Sequence, residues 1–429
     1  MMIHFDKDNF EVIPGAIYTF DIETTSLIYN PYTGEWEAFD YNKPAEFYAG
    51  LQKAGIPYIW MFGVNDTVYY GENFADVETV LRLISTPDQK QYLWIHNAAF
   101  EFQFMRDFLD HYTIDNMIAR ASRKPIAYTI KELNIEVRCT YMLTNLSLEK
   151  AAERYTNVRK LSGQLDYNKA RSPRTVAKMT PEELAYCEYD IITLYHIIAD
   201  HFLPTYKQLR WIPYTQTGEV RKEFRKRVSF GYVMRMQKRV PDDRMYLMLQ
   251  KAFQGGMTHG NCLYVNKVIT GDGIGSYDIA SSYPTTFLFK MPMYKFRRIP
   301  AELADTYDRD RYAILYHVKF YGVEAAKLNK YILCSKIAEG EGIYQDNGRL
   351  VRCAMCEMYI TEIDYDIITQ SAYTIERVEV IEAYAAYKDY MPRELIEFAL
   401  ELYNDKTKLK GVVGREDFYM KQKQMLNGL

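Results

Sequence analysis

The chain reads as an α/β and α+β multidomain protein, and three features predict it. Its 429 residues, at roughly 150 per domain, make about three units. Strand-like and helix-like patterns alternate up to about residue 205, the signature of an α/β layer architecture. Beyond that point a basic stretch leads into a glycine-rich segment (Gly271, Gly273, Gly275), so the organisation changes there.

Residues 16–21 (Ala-Ile-Tyr-Thr-Phe-Asp), residues 58–64 and Tyr92 to His96 read as buried strands. Thr180 to Phe202 reads as a helix: Thr180 is a good N-cap, Pro181 suits the first turn, and Glu183 completes a capping box. After the glycines, Ser276 to Ile279 predicts another strand. Pro392 opens an amphipathic helix whose Leu395, Phe398, Ala399, Leu402 and Tyr403 share an inner face, and Gly411 stops it. A last helix starts near Arg415. The sequence has no internal repeat and no low-complexity tract.

At 48% hydrophobic and 25% charged, with mean hydropathy −0.33, the chain has the composition of a soluble globular protein. No window approaches the roughly 18 consecutive apolar residues of a membrane span, so no membrane partner is expected. The N-terminus is acidic within its first eight residues, unlike a signal peptide. Six scattered cysteines (Cys139, Cys187, Cys262, Cys334, Cys353, Cys356) fit a reduced, intracellular chain, so a cytoplasmic location is expected. Cys353-Ala-Met-Cys356 has no second pair at zinc spacing and reads as two small hydrophobes beside a strand. The 39 tyrosines lie everywhere, so most are ordinary core and surface residues.

Charge is uneven. Residues 1–50 carry nine acids against Lys7 and Lys43, a net of −7. Residues 201–240 carry ten Lys/Arg against Glu219 and Glu223, a net of +8. That second stretch includes Arg225, Lys226 and Arg227. It is either a solvated face or a surface on which a polyanion lies.

Asp21 and Glu23 are two residues apart at a predicted strand end, so both side chains point to one face. Two carboxylates about 4 Å apart repel by roughly 4 kcal/mol at an effective dielectric near 20, and a divalent cation is the usual remedy. After the next core strand comes His96-Asn97-Ala98-Ala99-Phe100-Glu101-Phe102. Further on, Tyr186 and Asp190 share one face of the capped helix. Asp190 is followed by Ile191, Ile192 and Leu194, so its charge wants a partner. Asp21, Glu23, Glu101 and Asp190 together would match two Mg²⁺ (or Mn²⁺) ions, which can clamp the attacking water and the leaving oxygen of a phosphodiester. Tyr186 would orient the water.

These residues resemble the 3′–5′ proofreading exonuclease domain of family B DNA polymerases, a ribonuclease-H-like fold. Asp21-Ile22-Glu23-Thr24 is similar to the first exonuclease motif, Asn97 to Glu101 to the second, and Tyr186 to Asp190 to the third. Glu101 stands where the family usually has Asp. The resemblance implies that Thr24, Asn97 and Phe100 hold a single-stranded 3′ end. Leu165 to Pro173, with Met179 to Glu183, resembles the protein-primed phage polymerases, which places Tyr167 among the DNA contacts. In that subgroup a lysine shortly before the Asp-Tyr pair assists the exonuclease. Here Ser162 holds that place, and Lys160 lies two residues earlier.

Phe253-Gln254-Gly255-Gly256 resembles the Tyr-x-Gly-Gly loop that touches template backbone between the two domains, with Phe253 in place of Tyr. Asp278-Ile279-Ala280-Ser281-Ser282-Tyr283-Pro284 resembles polymerase motif A. Asp278 would bind the catalytic metals and Tyr283 would pack under the incoming sugar. Lys423 to Asn427 resembles the start of motif B, so Lys423 and Asn427 would meet the incoming nucleotide, with Lys406 nearby. The family's further Asp-Thr-Asp motif has no counterpart: Asp308-Arg309-Asp310 and Asp364-Tyr365-Asp366 both precede motif B.

The resemblance thus implies an exonuclease domain (1–205), a basic linker (206–245), the first part of a palm (246–310), an inserted subdomain of the terminal-protein-region kind (311–391) and fingers truncated at motif B (392–429). The expected activity is DNA-directed DNA polymerisation with proofreading, in viral or mobile-element replication, in the host cytoplasm if the chain is viral. Partners would be primer-template DNA, dNTPs, a terminal priming protein and a second polypeptide that completes the polymerase. The rivals are a stand-alone Mg²⁺-dependent exonuclease and a non-catalytic DNA-binding subunit of a priming complex.

Overall fold

The computed structural model describes residues 2–161, 165–167, 171–256, 258, 264, 266–271, 273–279, 281–327 and 330–429. Ser162, Cys262, Ala280 and residues 168–170 of the Leu165 to Pro173 stretch lie outside the described residues. The chain divides into two compact units, one up to Lys222 and one from Glu223 to Asn427.

The first unit is built on a mixed sheet of nine strands: β1 (Ile3–His4), β2 (Tyr18–Asn30), β3 (Glu35–Ala38), β4 (Lys53–Val64), β5 (Thr67–Gly71), β6 (Gln91–Ile95), β7 (Ile114–Ala121), β8 (Lys124–Ile130) and β9 (Ile135–Cys139). Their order is β1-β5-β4-β2-β6-β9-β8-β7, with β3 added to the far end of β2. β2, β6 and β9 run parallel. The run Tyr58 to Val64 is buried throughout because helices cover both faces of the sheet. On one side α1 (Ala75–Ile84) and α2 (Ala98–Leu109) bury Val80, Leu81, Ile84, Met105 and Leu109 against Phe20, Phe62 and Leu93. On the other, α5 (Pro181–His196) buries Cys187 and Ile191 against Ile59, Met61 and Val68. Short helices α3 (Thr140–Thr144) and α4 (Leu148–Tyr155) lead towards α5, and α6 (Leu203–Tyr206) follows its π-helical extension Ile197–Phe202. This is the α/β layering that the sequence predicts.

Thr180 caps α5 as expected. Its side chain accepts from the Glu183 amide while the Glu183 carboxylate accepts from the Thr180 amide at 3.0 Å, so two orphan donors are satisfied reciprocally. The Asp21 region differs from expectation. β2 does not end there but continues to Asn30. What ends is its neighbour: β6 pairs with β2 only at Tyr18 to Phe20, so one edge of β2 is open from Asp21 until β3 takes it up at Leu27.

In the second unit, α7 (Gln216–Arg225, which straddles the unit boundary), α8 (Phe230–Gln237) and α9 (Asp243–Ala252) make the stretch expected to be a linker largely helical. The predicted strand Ser276–Ile279 is not formed; these residues are exposed and belong to no strand. α10 (Ser282–Thr285) follows. The sheet beyond contains β10 (Met291–Pro292), β11 (Arg297–Ile299), β12 (Tyr312–Ala325), β13 (Ile337–Glu341), β14 (Tyr344–Asp346), β15 (Arg349–Thr361) and β16 (Tyr373–Asp389), antiparallel around the long strands β16-β12-β15. Cys353 and Cys356 are buried within β15, in the core with Phe320 and Ile360, as the apolar reading expects. Asp364 and Asp366 lie on helix α11 (Glu362–Ile367), where Asp364 forms a capping box with Thr361. α12 (Arg393–Leu409) buries Phe398, Ala399 and Leu402, as predicted, and Gly411 turns the chain at φ +76°. α13 (Glu416–Asn427) packs beside α12. No described helix is long and apolar enough to cross a membrane.

Candidate active site

The open edge of β2 is where the acids meet. Asp21 and Glu23 project from one face of β2, and Asp190 comes across from α5; ligand oxygens of all three lie within 4.8 Å of one another. Among the described residues this is the only such cluster of three or more metal-binding side chains. Glu101 stands in the first turn of α2, which begins as soon as β6 ends. Its side chain is buried and close enough to Asp21 for the two carboxyls to act on each other, while its Oε2 has no hydrogen-bond partner.

Crowding and burial act together on the charges. Burial, then the Asp190 carboxylate, raises the Asp21 pKa to about 7. Burial raises Asp190 to about 6 even though Lys160 opposes it. Glu23 and Glu101 are pushed well above the carboxylate range, by burial first and by Asp21 next. The cluster therefore holds protons that a cation would displace.

Lys160, on the segment after α4, is the nearest counter-charge. Its Nζ donates to Asp190 Oδ2 at 3.0 Å and lies 4.9 Å from the centre of the Tyr186 ring. The Tyr186 hydroxyl is 3.3 Å from that of Tyr167, which is half exposed. Thr24 is partly buried beside Glu23. Asn97 sits at φ +69° at the start of α2, and Phe100 is exposed on its first turn, its ring 5.1 Å from that of Phe104. Asp21, Glu23, Glu101, Asp190, Lys160, Tyr186 and Tyr167 thus form one constellation, with Asn97 and Phe100 on the helix that carries Glu101.

The supporting layer carries no motif of its own in the sequence. Arg171 is buried, ion-paired with Glu183, donates to the Asp166 carbonyl at 2.8 Å and covers the Tyr58 ring. The Arg171 carbonyl accepts from Thr25 Oγ1 at 2.8 Å, which ties the Tyr167 segment to β2 next to Glu23. Only the capping-box glutamate offered a signal: Glu183 serves Thr180 with one oxygen and Arg171 with the other.

In the second unit the motif residues are open. Asp278 and Tyr283 are exposed, and Asp278 belongs to no cluster of three or more metal-binding side chains among the described residues. Ser281, at φ +53°, is the residue before α10, and its hydroxyl accepts from Lys406 Nζ on α12. A Cβ on Gly256 would meet the Tyr283 hydroxyl at 2.9 Å, so that glycine lies against the motif-A tyrosine. Phe253 and Gly255 are in the same irregular stretch after α9. Lys423 and Asn427 are exposed on α13. Arg225, Lys226 and Arg227 surround the end of α7; Lys226 pairs with Glu223 and Arg227 with Glu401.

A sequence-family match to DNA polymerase type B, organellar and viral, covers residues 160–429. The chain belongs to this family. The type B chain is also similar in structure to Phi29 DNA polymerase in several states. Against its binary complex with primer-template DNA the TM-score is 0.62 at 18% identity, with 97% of this chain and 67% of that chain covered. Against the ternary complex with incoming nucleotide substrates it is 0.59 at 17% identity, covering 97% and 68%. Against the complex with single-stranded DNA it is 0.64 at 16% identity, covering 97% and 67%. The type B chain thus spans about two thirds of that polymerase and shares its fold. A search of curated protein sequences finds no match.

Proposed function

We propose that this type B polymerase chain carries a 3′–5′ proofreading exonuclease in its first unit, and in its second the opening part of a protein-primed type of polymerase domain. The observation that carries the reading is the convergence of Asp21, Glu23, Glu101 and Asp190 at the open edge of β2, with Lys160 and Tyr186 beside them. Crowded acids with raised pKa values, and a buried Glu101 oxygen without a partner, suit divalent cations. Mg²⁺ or Mn²⁺, when bound there, would supply an activated water and neutralise charge on the scissile phosphate.

The remaining roles fall to the protein. Asp21, Glu23, Glu101 and Asp190 hold the cations. The Tyr186 hydroxyl, fixed by Tyr167, orients the attacking water. Lys160 keeps Asp190 ionised and adds positive charge near the reacting phosphate. Asn97, Phe100 and Thr24 position the frayed 3′ end, Phe100 by stacking. In the second unit, Asp278 would contribute to the polymerase metals, Tyr283, Lys406, Lys423 and Asn427 would meet the nucleotide, and Phe253, Gly255, Gly256 and the basic α7 end would meet DNA.

The test is a 5′-labelled primer on a longer template with Mg²⁺, run with and without dNTPs and sized on a denaturing gel. Shortening without dNTPs supports the exonuclease; no shortening overturns it. A second reading, an exonuclease without polymerisation, is favoured by one contrast: the first unit has a carboxylate cluster, whereas Asp278 is exposed and in no such cluster among the described residues. Extension past the primer when dNTPs are present would remove that reading.

A further inference from the structure

A cleft of about 490 Å³ opens on the second unit where the end of α8 meets β11 and β16. It contains four cations in two pairs: Lys238 and Arg239 just past α8, and Lys295 and Arg297 at the start of β11. No acid lines it. Among the described residues, none of the four has a carboxylate within ion-pair distance. Their neighbours Arg298 and Arg311 are by contrast paired, with Glu382 and Asp308. Four uncompensated like charges around one concavity favour an anion bearing several charges.

The rest of the cleft is largely aromatic, and the rings are only partly used. The Arg239 guanidinium lies 4.7 Å from the centre of the Tyr294 ring, which remains 45% exposed. Tyr294 meets Tyr387 edge-on, with centroids 6.3 Å apart. Tyr312 Oη donates to Tyr387 Oη at 2.8 Å, which leaves the proton of Tyr387 for an outside acceptor. The cleft thus combines cations, a hydroxyl donor and exposed ring faces.

We infer that this cleft binds a segment of single-stranded DNA, its phosphates between the two cation pairs and a base against Tyr294. A duplex buries its base faces, so it would engage the cations and leave the rings idle. An acidic peptide would do the same. None of the five residues Lys238, Arg239, Tyr294, Lys295 and Arg297 belongs to the constellations assigned above to exonuclease or nucleotide chemistry. The inference stands apart from the exonuclease reading.

The test uses the full chain in EDTA, so that binding is read without hydrolysis. Fluorescence anisotropy of a labelled oligothymidylate is titrated over a series of salt concentrations. For the Lys295→Gln/Arg297→Gln double variant, the slope of log K against log salt should become shallower by about 1.4, the loss of two phosphate contacts on a single strand. Photocrosslinking with an iododeoxyuridine-substituted strand should label Tyr294 or Tyr387, mapped by mass spectrometry. An unchanged melting temperature shows that the variant is folded; if it is not, Lys238→Gln/Arg239→Gln replaces it. An unchanged salt slope, or crosslinks that avoid both tyrosines, overturns the inference. So does a variant that loses affinity for polyglutamate but not for the oligonucleotide. Loss of the exonuclease reading would leave these readouts untouched.

Discussion

The Lys160 ammonium lies 3.0 Å from the Asp190 carboxylate, which is thirty residues further along the chain. Burial works against the lysine's charge, yet Asp190 and Asp21 outweigh it and hold its pKa above the ordinary value. It is therefore a fixed cation at the edge of an acid cluster. Lys160→Ala should lower kcat for excision of a 3′ nucleotide by about 10²-fold, the scale of one preorganised electrostatic contact, with little change in KM. Single-turnover degradation of a 5′-labelled oligonucleotide measures both. A wild-type rate would remove Lys160 from the mechanism.

Asp21 touches the other acids and faces the proposed phosphate position. Asp21→Ala should abolish excision yet leave affinity for single-stranded DNA intact or slightly tighter, because an acid near phosphates is gone. Nuclease assay and anisotropy on the same preparation read the two effects. Undiminished nuclease activity would sink the metal assignment.

The acid cluster also makes stability depend on pH. The folded pKa values of Asp21, about 7, and Asp190, about 6, lie above those of an unfolded carboxyl, chiefly through burial. Groups raised in this way contribute stability that is complete below pH 4 or so and is lost as pH rises through about 6 to 7. In EDTA the melting temperature should fall between pH 5.5 and 8. Mg²⁺ should restore it, and by more at pH 8, because the cation competes with protons. An equal Mg²⁺ increment at both pH values would contradict this.

Arg171 and Glu183 form a buried ion pair in which each partner has further work to do. Arg171→Ala breaks this buried pair, so unfolding free energy should fall by about 3–5 kcal/mol. Urea titration would show it as a lower midpoint. The same variant loosens the Tyr167 segment, so excision should weaken before the protein unfolds. A change in midpoint without loss of activity would separate the pair from the site.

The features legible in the sequence are those with local chemistry. Thr180, Pro181 and Glu183 announce the start of α5 because capping is decided within four residues. Asp21, Glu23, Glu101 and Asp190 stand out because carboxylates set among apolar residues demand a partner. What escaped depends on partners distant in sequence. The end of β6, not of β2, opens the edge at Asp21, and no pattern within β2 reveals where a neighbour stops. The predicted strand at Ser276–Ile279 fails for the same reason, since a strand needs an edge to pair with. Arg171 looks like a surface arginine until Glu183, twelve residues on, is folded back to meet it.

Just past Glu23, the ladder between β2 and β4 slips: Glu23 faces Ile59, but Thr24 faces Pro57, so Tyr58 is an extra residue on β4. Tyr58 is buried, under the Arg171 guanidinium. Parity is thereby broken at one point. Deleting Tyr58 would not merely shorten a strand; it would straighten the ladder and hand Lys53 to Pro57 to the opposite faces of the sheet. A single-residue gap at this position is therefore a change of sidedness for everything on β4 before it, while the acids on the other side of the slip keep their orientation.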